Sequence, residues 1–334
     1  MEAKQKYSAK DISMIIVTYN RPNEIKRNFD HLKKLKTFPR EILVVDQSEN
    51  KKTKNVCIEY KKIIPIIKYL HQKKPSIPMA KNLGVKKSSD KSKILLFLDD
   101  DAFVEPSYMD EIVTYYNTIE NVNGVFGFDY YKFGNVDIRN LSQNIKFQIG
   151  RAVRRFFFLG YVGDEIFGVT SPYGANSTLP ITSPVRAQWF PGTNPSYKKE
   201  ILKKIKFDEN FFWWALGEDV DISYRINNTY GNLYVVPASI SHIHPPHEDD
   251  YVRKVRKIYM NQVNHLYLFY KLMPQMKIRF AWNILGIALL RTFSLLQINK
   301  FNKRFIEWKF FIKSLVYAFK NKERIKKGDL SIPV

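Results

Sequence analysis

Three consecutive aspartates, Asp99-Asp100-Asp101, follow directly on the apolar run Lys93-Ile-Leu-Leu-Phe-Leu98. Like charges this close repel, and each is pushed toward its neutral form unless a cation compensates. In an extended chain, side chains two residues apart point the same way. Asp99 and Asp101 are therefore expected to converge while Asp100 points away. Two hard oxygen donors at a strand end suit Mn2+ or Mg2+, which binds carboxylates together with substrate phosphates. The competing assignment is Asp101 as the N-cap of a helix after Ala-Phe-Val-Glu-Pro106. A triplet, rather than a lone acid, favours metal or nucleotide.

A second acidic group is Gly217-Glu218-Asp219-Val220-Asp221, opening a helix through Arg225. Acids at a helix N-terminus also serve as dipole partners. Here the glycine permits close backbone approach, and a separate acid cluster lies far off in sequence. One cluster for a metal and another carboxylate as base is the economy of a group-transfer enzyme.

Elements that would position these acids follow from periodicity. Ser13 to Tyr19 is a continuous β-branched run and reads as a buried strand, broken by Asn20-Arg-Pro-Asn23. Glu24 to Leu35 has helical spacing. Glu41 to Val45, ending on Asp46, is a second strand, with a weaker one within Ile63 to Leu70. Met79 to Lys87 is helical, and Lys93 to Leu98 is the clearest strand. Strands alternating with helices predict a parallel α/β sheet with functional loops at the strands' carboxyl ends. From Asn121 to about Pro191 no period is evident, apart from a short strand expected at Gln188-Trp-Phe190. Asn232 to Val236 reads as a strand delivering Ser241-His-Ile-His244.

Taken in order, Val17-Thr-Tyr-Asn-Arg21, Asp46, Met79-Ala-Lys-Asn-Leu-Gly84, Leu98-Asp-Asp-Asp101 and Gly217-Glu-Asp-Val-Asp-Ile-Ser-Tyr-Arg225 resemble glycosyltransferase family 2. Trp189-Phe-Pro-Gly-Thr-Asn-Pro-Ser-Tyr-Lys198 resembles its acceptor-side segment. The resemblance spans roughly residues 11 to 247. It implies a GT-A fold, a mostly parallel Rossmann-like sheet flanked by helices, and inverting transfer from a nucleotide-sugar to a saccharide or lipid-linked saccharide.

The resemblance also implies roles. Donor binding would fall to Thr18, Tyr19, Asn20, Arg21, Asp46, Lys81, Asn82, Asp99 and Asp100, with Thr18 and Asp46 at the nucleobase and ribose. Asp99 and Asp101 would hold the Mn2+ or Mg2+, with His242 or His244 as a further contact to metal or diphosphate. Asp219 would be the catalytic base, and Trp189, Gly192 and Glu218 would lie on the acceptor side. Lys81 and Lys198 stand where arginine is frequent, and a lysine offers charge without a bidentate fork. That departure bears on donor preference.

Composition bounds the rest. The chain of 334 residues is 45% hydrophobic and 26% charged, an ordinary globular balance. Its single cysteine, Cys57, excludes a disulfide framework or cysteine-rich zinc module and suits a reducing compartment. The polar opening Met1 to Asp11 predicts no secretory leader.

Net charge is +22, and Tyr251 to Val334 holds 18 Lys and Arg against three acids. The expected organisation is a catalytic domain over 11–250, its nucleotide half about 11–120 and acceptor half about 121–250. A basic helical C-terminal extension follows over 251–334. Phe280 to Leu290 is apolar but shorter than the about 20 residues a span needs. Phe301, Phe305, Trp308, Ile312, Leu315 and Phe319 form one helical stripe, with Lys303, Lys309, Lys313 and Lys320 off it. That pattern predicts peripheral attachment to an anionic membrane surface, at the cytoplasmic face of the cell membrane. Packing on the catalytic domain, or on a second copy as a homo-oligomer, is the other use of such a stripe.

Two other functions compete. A nucleotidyltransferase of the same broad fold would also use carboxylate-held metal, but no glycine-rich phosphate loop follows the first strand. A nucleic-acid-binding protein would explain the charge alone and leaves the acids at strand ends without a role. No recognition motif is present, so no nucleic-acid partner is expected.

Overall fold

The computed structural model describes residues 6–129, 145–157, 183–211, 215–242, 251–296 and 301–333. Its first half alternates strand and helix: β1 (Ile12–Thr18), α1 (Pro22–Leu32), β2 (Glu41–Asp46), α2 (Lys52–Lys61), β3 (Ile67–His71), α3 (Ile77–Lys87) and β4 (Ile94–Asp99). These four strands are parallel, in the order β3-β2-β1-β4. β1 and β2 are covered on both faces, which is why they read as unbroken apolar runs. Ile12, Met14 and Ile16 enter the core with Ile25, Phe29 and Leu32 of α1, while Ile15 joins Val45 and Phe97 on the other face. The register sets Thr18 against Asp46, and Val17 against Asp99, along one carboxyl edge.

Next come β5 (Ala102–Val104), α4 (Tyr108–Thr118), β6 (Gly124–Asp129), α5 (Ile145–Phe156), β7 (Val185–Ala187), β8 (Pro195–Lys198), α6 (Lys199–Lys204), α7 (Glu218–Tyr230) and β9 (Leu233–His242). Among the described residues the sheet has nine strands, ordered β3-β2-β1-β4-β8-β6-β9-β5, with β7 against β9. β8 lies antiparallel between β4 and β6, whereas β9 is parallel to β6. The expected parallel pattern therefore holds among β1 to β4 and becomes mixed beyond them. The chain leaves β6 at the carboxyl edge, and β7 and β8 both run opposite to it. The strand expected at residues 188–190 lies instead at Val185–Ala187.

Four helices end the chain: α8 (Tyr251–Leu272), α9 (Lys277–Phe293), α10 (Phe301–Lys320) and α11 (Lys322–Lys326). α8 packs into the catalytic body, where Val263, Leu266, Leu268 and Phe269 share a core with Phe211 and Ala215. Ala318, Ile325 and Leu330 close that core from the end of the chain. α9 continues in a 3-10 turn to Leu296, giving 20 residues of mean hydropathy 1.3. Helix thus extends well past the eleven-residue apolar stretch and is, by length and composition alone, long enough to cross a membrane.

Candidate active site

Two clusters form where β1 and β4 end. In the first, Arg21 clamps neighbouring aspartates: Nη1 donates to Asp100 Oδ1 at 2.6 Å and Nη2 to Asp101 Oδ2 at 2.8 Å. Thr18 Oγ1 donates to Asp100 Oδ2 at 2.7 Å. Burial pushes the Asp100 carboxyl up to about 7, against the opposing pull of Arg21 and Thr18. The corner between β1 and α1 is turned by Asn20 at φ 55°, a left-handed conformation that asparagine tolerates. Its backbone N–H donates to Ser48 Oγ at 2.7 Å.

The expected alternation of the triplet does not hold. β4 stops at Asp99 and the chain turns through Asp100 and Asp101, so the period of two is lost. Asp100 and Asp101 share one guanidinium, and Asp99 belongs with the second cluster. Its backbone N–H donates to Thr193 O at 2.9 Å.

That second cluster surrounds Lys81. Its Nζ, buried between the rings of Phe97 and Phe207, is 2.6 Å from Glu218 Oε1. Burial would lower the ammonium pKa, but Glu218 and Asp99 outweigh it and raise it. Burial lifts Glu218 to about 7 despite Lys81. Asp219 is also raised, first by desolvation, with Lys81 and backbone N–H groups opposing. Glu218 is enclosed and Asp219 is partly open. Asp219 Oδ1 accepts from Val220 N–H at 2.9 Å, and a Cβ on Gly192 would stand 3.6 Å from Asp219 Oδ2. A partly exposed carboxylate with a raised pKa beside an acceptor-side turn is a stronger proton acceptor than an ordinary aspartate.

Local sequence explains this placement. Gly217 caps α7 at φ 96°, and a Cβ there would meet Leu268 Cδ1 at 2.8 Å. Only glycine combines that dihedral with the close approach of α8. Asn194, fully buried, pins the acceptor-side turn by bonding both the N–H and the C=O of Gly127. Ser223 Oγ of α7 accepts from Phe190 N–H at 3.0 Å. Lys271 of α8 pairs with Asp208 and, at 2.7 Å, with Asp221, which also holds Arg225 at 2.6 Å. Asn194 and Lys271 were not singled out in the sequence. Asn194 lies within the acceptor-side segment, but nothing in the pattern marked Lys271.

Several expected positions differ. The Asp46 carboxylate is fully buried, with Oδ1 accepting from Ser48 and Oδ2 from Tyr69 at 2.9 Å, so it braces the loop instead of opening on the crevice. Asn82 turns the other way, bonding Phe207 and Glu209 beside a groove of about 480 Å³. Lys81 pairs with the acids of α7 in place of the expected phosphate contact. Trp189 is buried, and Lys198 lies beside Ile94 at the opposite edge of the sheet. Tyr19 is exposed on the donor side. His242 is in register with Ala102, next to Asp101, whereas His244 lies outside the described residues.

Among the described residues no three His, Cys, Asp or Glu side chains gather to hold a metal. The strand-end carboxylates of this turn are oxygen donors of the kind a hard cation takes together with phosphate and water.

Residues 13–177 match the family model for glycosyl transferase family 2. The chain carries a domain of that family. This glycosyltransferase resembles the mannosyltransferase PcManGT from Pyrobaculum calidifontis, solved with GDP-Man and Mn2+, at TM-score 0.56 and 14% identity over 95% of this chain and 89% of that one. S. aureus TarS 1-349, solved with UDP-GlcNAc, gives TM-score 0.56 and 13% identity over 96% and 88%. GalNAc-T7, solved with UDP, GalNAc and Mn2+, gives 0.52 and 15% over 93% and 58%. At such identities the likeness establishes the GT-A fold. No curated protein matches the sequence. That family domain sets aside the nucleotidyltransferase alternative.

Proposed function

We propose that this glycosyltransferase moves a sugar from a nucleotide-sugar donor to a hydroxyl of a saccharide or lipid-linked saccharide, with inversion at the anomeric carbon. The observation that carries the reading is the meeting of the two clusters at one sheet edge. An aspartate turn that engages the Arg21 cation lies beside a partly open carboxylate of raised pKa. Thr18, Arg21 and Asp100 form the donor corner. Asp219 removes the acceptor proton as the hydroxyl attacks, the glycosidic bond to the diphosphate breaks, and the nucleoside diphosphate departs from the opposite face. One-step displacement of this kind needs a base and no protein nucleophile.

Lys81 pairs with the enclosed Glu218, which leaves Asp219 as the carboxylate open to the acceptor. The oxygen donors of the aspartate turn, Asp101 foremost, with Asp99 at the end of β4, would hold Mn2+ or Mg2+, which supplies positive charge to the leaving diphosphate. The basic segment after Asp249 attaches the enzyme peripherally to the anionic cytoplasmic face of the membrane, where a lipid-linked acceptor resides.

The test is incubation with nucleotide-sugars and Mn2+, scoring release of nucleoside diphosphate and the anomeric configuration of the product by NMR. Release with an inverted product is expected. Retention at the anomeric carbon would overturn the single-displacement mechanism, and activity undiminished by EDTA would remove the metal.

A further inference from the structure

The apolar surface of the enzyme is concentrated in a few helices. Outside α5 and the helices after residue 250, only Tyr19, Ile58 and Ile63 among the described residues are large, apolar and exposed. On α5, Ile145 is 73% exposed, Ile149 59% and Phe156 61%. On α9, Ile278 is 88% exposed, and Leu285, Leu289 and Phe293 are open as well. A patch of this kind on a soluble domain marks an interaction surface.

Two observations join α5 to α9. The Trp282 Nε1–H donates to Phe156 O at 2.8 Å, and the Trp282 ring stacks on Phe157 with centroids 5.4 Å apart. Gly286 lets the helices meet, since a Cβ there would overlap the Phe157 side chain. Charge identifies what covers the pair. Residues 145–156 hold Lys146, Arg151, Arg154 and Arg155, and residues 277–296 hold Lys277, Arg279 and Arg291, with no acid in either. Apolar segments whose only charged residues are cations match an anionic bilayer interface.

Topology gives the face its purpose. β6 and β9 are parallel neighbours that both deliver the chain at the catalytic edge, one toward α5 and the other toward α8 to α10. We propose that α5 and α9 form one membrane-docking face, which seats the acceptor half of the enzyme as well as its C-terminal helices on an anionic lipid bilayer. The proposal deepens, and rests on, peripheral attachment and a lipid-borne acceptor. It adds an anchor inside the catalytic domain, between β6 and β7.

Flotation of the full-length protein tests it, with vesicles of phosphatidylcholine alone or of equal parts phosphatidylcholine and phosphatidylglycerol. The wild type should float only with the anionic vesicles. Ile149→Glu and Ile278→Glu should each weaken partitioning at least about tenfold. Ile63→Glu, the same charge change off the face, should leave it unaltered. Gly286→Leu, which pushes Phe157 away, should weaken flotation while the far-UV circular dichroism is kept.

Normal flotation of Ile149→Glu alongside loss in Ile278→Glu would overturn the role of α5 and leave C-terminal attachment standing. A wild type that stays at the bottom with anionic vesicles would overturn attachment itself. If it also sediments as a dimer that Ile149→Glu dissociates, the face belongs to a second copy of the chain.

Discussion

At the scale of single residues, the two adjacent acids that open α7 have different surroundings and should behave differently. Glu218 is enclosed with Lys81, while Asp219 is partly open and held by backbone N–H groups. Asp219→Asn should lower kcat by about 100- to 10,000-fold with donor affinity preserved, as loss of a general base does. Measuring donor affinity by calorimetry and turnover by nucleoside diphosphate release separates the two effects. A near-normal Asp219→Asn enzyme with a dead Glu218→Gln enzyme would exchange their roles.

The pH profile follows from the same geometry. Both carboxyls are raised, Asp219 above 3.8 and Glu218 from 4.5 to about 7, so the acid limb of kcat/KM should lie above the ordinary carboxylate range. The groups facing them are Lys81, Asp99 and, on β8, the buried Tyr197. Lys81 pulls both carboxyl values down, so Lys81→Met should move the acid limb to higher pH. A limb that stays in place would mean that neither acid controls the rate.

At the scale of elements, the strands that carry the site were legible because burial on both faces leaves an unmistakable mark. β1, β2 and β4 appear as continuous apolar runs, and each ends on a polar site residue: Thr18, Asp46 or Asp99. What the pattern could not convey was direction after a turn. An extended triplet would bring Asp99 and Asp101 together, whereas the turn at Asp100 sets Asp100 and Asp101 on one guanidinium. α5 was missed although Ile145, Ile149 and Phe156 lie at helical spacing. A strongly amphipathic basic segment stands there amid residues without period.

On α10 the stripe Phe301 to Phe319 is helical as expected, yet Phe301, Phe305 and Phe319 are exposed. The packed face runs instead through Phe311, Ser314 and Ala318. Periodicity shows that a stripe exists but not which side finds a partner, and small residues such as Ser314 and Ala318 permit the closer approach to α8. The junction of α7 with α8 makes a sharper prediction. Gly217→Ala imposes both a left-handed backbone and the Leu268 contact, and should destabilise by about 1–3 kcal/mol. Denaturant unfolding of the double variant with Leu268→Ala should show less than the sum of the single effects, because the steric part is shared. Full additivity would show that the dihedral alone is responsible.

At the scale of the whole molecule, the C-terminal helices serve two surfaces at once. One side builds the catalytic body: Lys271 reaches Asp208 and Asp221, and Ala318, Ile325 and Leu330 complete the core around Phe211. Cutting the chain near residue 270 would expose that core, so surface substitutions are the informative way to probe membrane contact. The same segment carries most of the protein's excess charge, 18 Lys and Arg against three acids over 251–334. Each basic group close to an anionic surface contributes about 1 kcal/mol, and salt screens it over about 10 Å at 0.1 M. If attachment brings enzyme and acceptor together, kcat/KM for a lipid-borne acceptor in anionic vesicles should fall several-fold between low and about 0.5 M salt. The value for a water-soluble acceptor fragment should change far less, since the site itself is partly enclosed and its ion pairs are less screened. Replacing phosphatidylglycerol with phosphatidylcholine should reproduce the high-salt result at low salt. Equal salt dependence for the two acceptors would place the electrostatic step within the site, in donor binding at Arg21 and the aspartate turn, and would detach catalysis from the membrane.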